Sequence, residues 1–306
     1  MSVLTLGETM ALFDPAAEGP PSIGMSYTLR LAGAESNFAI AVARLGVAVR
    51  WISRVGDDAI GKLIIQTLAA EGVDVTFVIG EKSAGTGAFL KVRDRGRTRV
   101  QYFRGGSAAS YLESGDVPDQ ALEGVRIIHL TGITLALSES ASRLVSEVAG
   151  RARDRGITVT FDANYRPALW PNPPAARRAQ ERLLDCVDWY FCGEDEARVL
   201  SGSGEAEALD ARIRSAGARR VAIRLGERGA FVEGAIVPPP DLVTVRDEIG
   251  AGDAFDAGFV YGLLHGWEPP ACARSGHVIA AHAVQGTGDW ETLPHLNDVA
   301  SLLQRP

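Results

Sequence analysis

The sequence predicts an α/β protein, a mostly parallel central sheet covered by helices on both faces with a small β-sheet beside it. Three observations carry this reading. From residue 126 onward, short apolar strands alternate with stretches of helical period, the pattern of successive βα units. Residues 86–92 and 97–103 alternate apolar and polar positions around Asp94-Arg95-Gly96, which reads as a hairpin standing outside that alternation. The chain has 306 residues, 46% hydrophobic and 23% charged, enough for one large core with an appendage, so 1–306 is expected to be a single domain.

Taken in order, Val3–Leu6 is a buried strand that ends at Gly7-Glu8. A proline-rich stretch at 14–21 precedes a short strand at 27–31. Residues 32–46 open with small residues and continue as a helix, with Phe38, Ala41, Val42 and Leu45 at helical spacing and Gly46 as its stop. Residues 47–55 read as a second strand, and Asp57 or Asp58 then caps a helix running to about Ala70. Residues 73–78 are strand-like. The hairpin follows and, with the 27–31 strand, makes a small β-layer able to act as a lid, formed by about 13–32 and 85–105. Beyond it come a strand at 126–130, a helix at 138–155, a strand at 158–162, a helix at 175–184 and a strand at 189–191. Helices at 195–200 and 210–217 lead to a strand at 220–224. Pro238-Pro239-Pro240 is a loop, after which a β-branched run at 243–245 meets a glycine turn and a long apolar helix.

The net charge of −7 argues against a nucleic-acid or anionic-membrane partner. Cys186, Cys192 and Cys272 form no C-x-x-C pair, which fits a reducing compartment and offers no zinc or disulfide framework. The five histidines show no metal spacing. The first ten residues lack the basic start and apolar core of a signal peptide, and no run reaches the roughly 18 apolar residues of a membrane span, so a cytoplasmic location is expected.

The chemistry concentrates in residues 243–265. Gly250-Ala251-Gly252 lets backbone N–H groups point inward, and at a helix start such groups sit at the positive end that stabilises an oxyanion or phosphate. Asp253 stands in the same turn. A carboxylate beside an anion pocket is electrostatically costly unless it has a task, and taking a proton from a hydroxyl that attacks phosphorus is such a task. On these residues alone, an ordinary helix start with Asp253 as cap or dipole partner reads equally well. Phe255 occupies the place of the third glycine of a dinucleotide fingerprint, which disfavours a Rossmann dehydrogenase. Residues 56–62, GDDAIGK, miss a phosphate-binding P-loop because Leu63 stands where Ser or Thr should hold Mg²⁺. In a mostly parallel sheet, ligands bind beyond the carboxyl ends of the strands. Those ends carry Gly7-Glu8, Thr131-Gly132-Ile133 and residues 162–166, 193–196, 226–229 and 247–253, a set rich in glycine and carboxylate.

Three of these stretches resemble the ribokinase-like sugar kinases: Ala32-Gly33-Ala34-Glu35-Ser36-Asn37, residues 226–229, and 247–253. The resemblance spans essentially the whole chain. Within that family, residues 102–110 (YFRGGSAAS), 129–133 (HLTGI) and 161–166 (FDANYR) with Leu169-Trp170 are similar to the 2-keto-3-deoxygluconate kinases. The resemblance implies a ribokinase-like three-layer α/β/α body that binds ATP and a small β-sheet lid that closes over a sugar and mediates homo-oligomerisation. It places the catalytic base on Asp253, with an anion hole on the backbone of Gly250, Ala251 and Gly252. Substrate contacts fall on Gly33, Ala34, Asn37, Tyr102, Arg104, Ile133, Arg166, Asp253 and Asp289. Nucleotide contacts fall on Asn164, Arg166, Arg224, Gly226, Gly229, Gly250 and Gly252, with His282 a candidate neighbour of the adenine. ATP and Mg²⁺ are the implied cofactors, and the resemblance leaves room for a monovalent cation.

Elementary chemistry agrees on the substrate. A 2-keto-3-deoxy sugar acid carries a carboxylate, and Arg104 with Arg166 are the residue type to bind it bidentately. Tyr102 and Arg104, two apart, point to one face of their strand; without the resemblance, a solvated face with a snorkelling arginine is the better reading. The sequence departs from the family pattern at Ala32-Gly33 for Gly-Gly, Asp247-Glu248 for Asp-Thr and Arg224 for lysine. At 193–196 it keeps only Glu196 of the acidic motif linked to the metal, so Glu196 is the one candidate there. The alternatives are a kinase for a neutral sugar such as fructose or ribose, a kinase for a phosphorylated sugar, and a catalytically silent sugar or nucleotide sensor.

Overall fold

The computed structural model describes residues 1–94, 97–240 and 243–303. Its strands in chain order are β1 (Val3–Leu6), β2 (Met10–Pro15), β3 (Tyr27–Ala32), β4 (Val49–Ile52), β5 (Arg54–Gly56), β6 (Ile79–Glu81) and β7 (Ala88–Asp94). They continue with β8 (Arg97–Phe103), β9 (Ile127–Thr131), β10 (Thr158–Asp162), β11 (Trp189–Gly193), β12 (Arg220–Arg224), β13 (Ala230–Val232) and β14 (Ala235–Val237). The helices are α1 (Ala34–Arg44), α2 (Ala59–Ala70), α3 (Gly132–Leu137), α4 (Glu139–Asp154), α5 (Pro173–Glu181) and α6 (Glu194–Ser201). Then come α7 (Ala206–Ser215), α8 (Ala251–Leu264), α9 (Pro269–Ala283) and α10 (Leu296–Leu303).

The large sheet has the order β14-β13-β12-β11-β10-β9-β1-β4, parallel from β12 to β4, with β13 and β14 added antiparallel at one edge. Side chains of a strand alternate between faces, and each face has its own core. Leu4, Ile128 and Val159 pack with Leu144 and Val148 of α4 and Ile213 of α7. Val3 and Ile127, their immediate neighbours in sequence, pack instead with Phe38 of α1, Val260 of α8 and Ile279 of α9. A parallel sheet covered on both faces needs continuous apolar strands, and β1, β9 and β10 supply them.

A second sheet, β3-β2-β7-β8, stands apart. Register pairs Phe89 with Tyr102 and Lys91 with Val100, which puts all four on one face. Its apolar cluster among the described residues is small: Met10, Leu12, Ala32 and Phe89.

Several expectations need correction. The run 47–55 is broken at Ser53 into β4 and β5, which belong to different sheets, because the backbone of Ser53 turns to pair with Ile79. Residues 73–78 are not a strand; the one pairing there is an isolated bridge between Arg50 and Asp74. Residues 243–245 are not a strand either; the next residue, Arg246, ties its N–H to the carbonyl of Val284 at the end of α9, 2.8 Å away. The proline-rich segment hides β2, whose Pro15 sits at the strand end where a missing N–H is tolerated. The hairpin turn lies at residues 95 and 96, outside the described residues.

Candidate active site

Asp253 lies in the first turn of α8, at the carboxyl edge of the large sheet. The helix opens on Gly250, whose φ of 77° is left-handed and whose Cα faces the carbonyl of Asp289 so closely that a Cβ would overlap it. Glycine is required there on both counts. The N–H groups of Gly252 and Asp253 have no backbone partner among the described residues, as the first turn of a helix leaves them. The N–H of Ala251 is committed to the Glu248 carbonyl at 3.3 Å, so the expected trio of donors at 250–252 is not complete.

Two amides hold the Asp253 carboxylate. Asn37 Nδ2 in α1 donates to Oδ2 at 2.9 Å, and Asn164 Nδ2, just past β10, donates to Oδ1 at 3.4 Å. Asn164 adopts φ 36°, a conformation a non-glycine residue holds only where its surroundings fix it. Here its backbone N–H and side chain both bond to Asp162, each at 3.2 Å. Removal from bulk water pushes the Asp253 carboxyl up to about 7, with the Asn37 bond pulling the other way and the charge of Asp162 adding to the rise.

Three cavities run in series past this residue, which lines the first two of them. The first, about 240 Å³, lies between α1, the small sheet and the α8 turn. Gly33, Ala34, Asn37, Tyr102, Arg104, Ile133, Arg166, Asp253 and Asp289 all line it, so segments up to 256 residues apart (33 to 289) come together as the motifs imply. The second, about 340 Å³, is bordered by Asn164, Arg166, Glu196, Arg224 and the 248–253 turn. The third, about 790 Å³, is lined by Gly226, Gly229, Arg224 and Gly252, with Phe255, His277, Ala280 and Val284 forming an apolar wall. Arg166, Gly250 and Asp253 are shared by the first and second; Glu196, Arg224, Glu248 and Gly252 by the second and third.

The 226–229 turn joins antiparallel β12 and β13, so it is a hairpin turn and a cavity wall at once. His282 does not line the third cavity; His277 does, its Nε2 3.1 Å from the carbonyl of Val237. Arg224 lines the second and third cavities and pairs with Asp256 at 2.6 Å, Asp162 at 2.9 Å and Glu196 at 3.6 Å. Burial alone would raise the Asp162 carboxyl, but this guanidinium holds it below the usual carboxylate range. Glu196 spends both oxygens on backbone, accepting from Tyr165 N–H and Gly193 N–H at 2.7 Å each.

Sequence reasoning gave no role to two charged residues of the first cavity, Glu8 and Lys91. Buried Glu8 pairs with Arg104 and accepts from the Ser107 hydroxyl, so Arg104 is already partly neutralised. Lys91 faces Asp289 from the small sheet. The signal for Lys91 was present: it follows Phe89 by two on a strand whose partner carries Tyr102. Arg104, expected on that same strand, stands one residue past its end at Phe103.

A carboxylate at an open helix start, facing a cavity of about 240 Å³, is the arrangement that phosphoryl transfer to an alcohol requires, and it points to the class of sugar kinases. The pfkB family carbohydrate kinase model matches residues 1–296, and the chain belongs to that family. It is 36% identical to the 2-dehydro-3-deoxygluconokinase of Bacillus subtilis, covering 99% of this chain and 95% of that protein. It is equally 36% identical to the 2-dehydro-3-deoxygluconokinase of Thermoproteus tenax, over 99% and 94% of the two chains. An Escherichia coli structure assigned as ribokinase II in complex with ATP and Mg²⁺ superposes with a TM-score of 0.88 at 25% identity, over 100% and 99% of the chains. The ribokinase-like fold expected from the motifs is thus the fold observed. Among the described residues, no helix is long and apolar enough to cross a membrane.

Proposed function

We propose that this kinase transfers the γ-phosphoryl group of ATP to the terminal hydroxyl of a 2-keto-3-deoxy sugar acid, converting 2-keto-3-deoxygluconate (2-dehydro-3-deoxygluconate) to its 6-phosphate. The observation that carries the reading is Asp253, shared by the small polar cavity and the cavity that leads to the larger, apolar-walled one. Sugar acid occupies the first, the transferring group the second, and nucleotide the third. Asp253, unprotonated, accepts the hydroxyl proton as that oxygen attacks phosphorus, and Asn37 and Asn164 keep its oxygens aimed. The open N–H groups of Gly252 and Asp253, with the α8 dipole, steady the charge on the group in flight. Arg224 acts through Asp162 and Asp256 and not on the nucleotide itself.

Arg166 is the arginine free for the substrate carboxylate. Its side chain is 46% exposed and its nearest carboxylate, Glu196, stands 3.8 Å away. The Glu8–Arg104 pair favours the competing reading, a neutral sugar, because it leaves less positive charge for an acid. Turnover of ATP against a panel of 2-keto-3-deoxy acids, fructose, ribose and sugar phosphates decides between them. Preference for the acids by tenfold or more in kcat/KM supports the proposal, and preference for a neutral sugar overturns it.

No group of three or more His, Cys, Asp and Glu side chains is arranged to hold a metal among the described residues. That suits Mg²⁺ carried by nucleotide, which takes phosphate oxygens and water plus one or two carboxylates. Glu248, exposed where the second and third cavities join, is placed to face it, with Glu196 acting through water. Bound Mg²⁺ supplies charge neutralisation on the phosphates. Running the panel with and without K⁺ tests the monovalent cation.

The small sheet serves as the lid, within a single kinase unit over 1–306. Its face turned away from the sugar cavity presents Phe13, Leu29 and Phe103, each more than a third exposed, as the contact of a homo-oligomer. Sedimentation of the wild type beside Phe103→Glu tests that contact. A cytoplasmic location follows from the need for ATP.

A further inference from the structure

Lys91 is the buried exception among this chain's lysines. Lys62 and Lys82 are exposed, whereas the Lys91 side chain is 2% exposed and ends in the sugar cavity. It arrives there from β7 on the same face as Phe89, across from Val100 and Tyr102 of β8. Among the described residues, the carboxylate within 4 Å of its ammonium is Asp289, itself 7% exposed, on the loop whose carbonyl packs against Gly250.

The pair does not close. Lys91 Nζ and Asp289 Oδ1 are 3.6 Å apart, and that oxygen has no hydrogen-bond partner among the described residues. Other ion pairs of this protein, each with a member more exposed than either of these two, close further: Arg44 to Glu71 at 2.7 Å, Arg224 to Asp256 at 2.6 Å. A buried ion pair that stops short of hydrogen bonding recovers little of the cost of desolvating its members. A compact ammonium with rotatable donors is suited to a small ligand group, where a guanidinium would span the gap and bridge to the carboxylate.

We propose that Lys91, together with Asp289, reads one secondary hydroxyl of the substrate. The hydroxyl oxygen accepts from the Lys91 ammonium and its hydrogen is donated to Asp289, so that both are satisfied by one group. This rests on the sugar-acid reading of the same cavity. In a six-carbon 2-keto-3-deoxy acid, C2 is the keto carbon, C3 lacks oxygen and C6 reacts. Ring closure that leaves the C6 hydroxyl free consumes the one on C5. The C4 hydroxyl is therefore the secondary alcohol left to be read, and Lys91 becomes a determinant of C4 configuration. A site built to satisfy buried polar groups with a hydroxyl discriminates strongly against a ligand that does not present it.

The test measures kcat and KM for 2-keto-3-deoxygluconate and its C4 epimer, 2-keto-3-deoxygalactonate, in wild type, Lys91→Met, Asp289→Asn and the double variant. Melting temperature monitors the fold, and calorimetric titration of each acid without ATP gives binding independent of turnover. In Lys91→Met we expect KM for the preferred epimer to rise tenfold or more, the loss to fall on KM rather than kcat, KM for ATP to hold, and the epimer preference to shrink toward unity. Lys91→Arg, which keeps the charge and the fold, does not restore the preference. If Lys91 only neutralises Asp289, the double variant regains wild-type KM and preference, and the proposal is overturned. An unchanged epimer ratio in a folded Lys91→Met overturns it as well. Wild type that neither binds nor phosphorylates either acid overturns the sugar-acid reading itself, whereas wild type active on an acid with Lys91→Met unaffected overturns only the assignment of Lys91.

Discussion

The sugar end and the nucleotide end of the cleft are made of different materials. At the sugar end, α1, two strands of the small sheet, the segment after β10 and the 289 loop converge, and they bring buried charge: Glu8, Lys91, Arg104, Asp253 and Asp289. At the nucleotide end, the walls come from two stretches, 193–229 and 239–284, and glycine turns, Pro239-Pro240 and the apolar side chains of Phe255, Ala280 and Val284 stand beside charged residues such as Glu196, Arg224 and Glu248. An end built from distant charged groups is precise and fragile, since each group is satisfied only if the others arrive. An end built from turns and apolar walls tolerates change, because backbone shape and area do the binding.

The largest break of this contrast is Asp253→Asn. It lowers kcat by about 10²–10⁴-fold while leaving KM for both substrates near wild type, as steady-state kinetics will show. A variant with near-normal turnover removes Asp253 as base. Next is Arg104→Met, which strips the partner from buried Glu8 and raises KM for the sugar acid about 10–100-fold without altering KM for ATP. At the other end, Ala280→Phe fills the apolar wall and raises KM for ATP about tenfold, with KM for the sugar held. An equal effect on both substrates would show that the two ends are not separable.

Smaller effects follow from proton affinity. With the Asp253 carboxyl pushed up to about 7 by burial, kcat/KM falls on the acid side of that value, where the base already carries a proton. The same shift bears on stability. Protonated in both states at low pH, the group costs nothing; as pH rises, the unfolded chain releases the proton first, and stability is lost until the folded carboxyl ionises at about 7. Asp253→Asn is therefore expected to be more stable than wild type at pH 8, by about 1–2 kcal/mol once partial solvent access is allowed for. Denaturation at pH 5 and pH 8 checks that the gain grows with pH.

Sequence period reached far into this fold. Val3–Leu6, residues 158–162 and 220–224 are apolar runs between turns, and they are strands with those bounds. Asp58 caps α2 through the N–H of Gly61, 2.7 Å away, because a short acidic side chain before a helical run has few other uses. The motifs reached the site as well: the residues assigned to the sugar line one cavity. Where reading failed, partners had to be known. Val243 and Val245 look like strand residues but find no strand to pair with, and the β-branched 73–78 run makes a single bridge. Arg224 and Glu196 line the second and third cavities, but the neighbours that hold each of them, Asp256 and the N–H of Tyr165 among them, are announced by no local pattern.

What this sequence determined by itself was type and place: which stretches are strands, where glycine must turn the chain, and which carboxylate stands at a helix start. Those follow from the spacing and chemistry of residues close along the chain. Only the tertiary structure decided which charges remain free. Glu8 claims Arg104, Asp162 and Asp256 claim Arg224, and Lys91 and Asp289 stop 3.6 Å apart. A charge is satisfied or left open by groups within a few ångströms in space, and packing sets those distances.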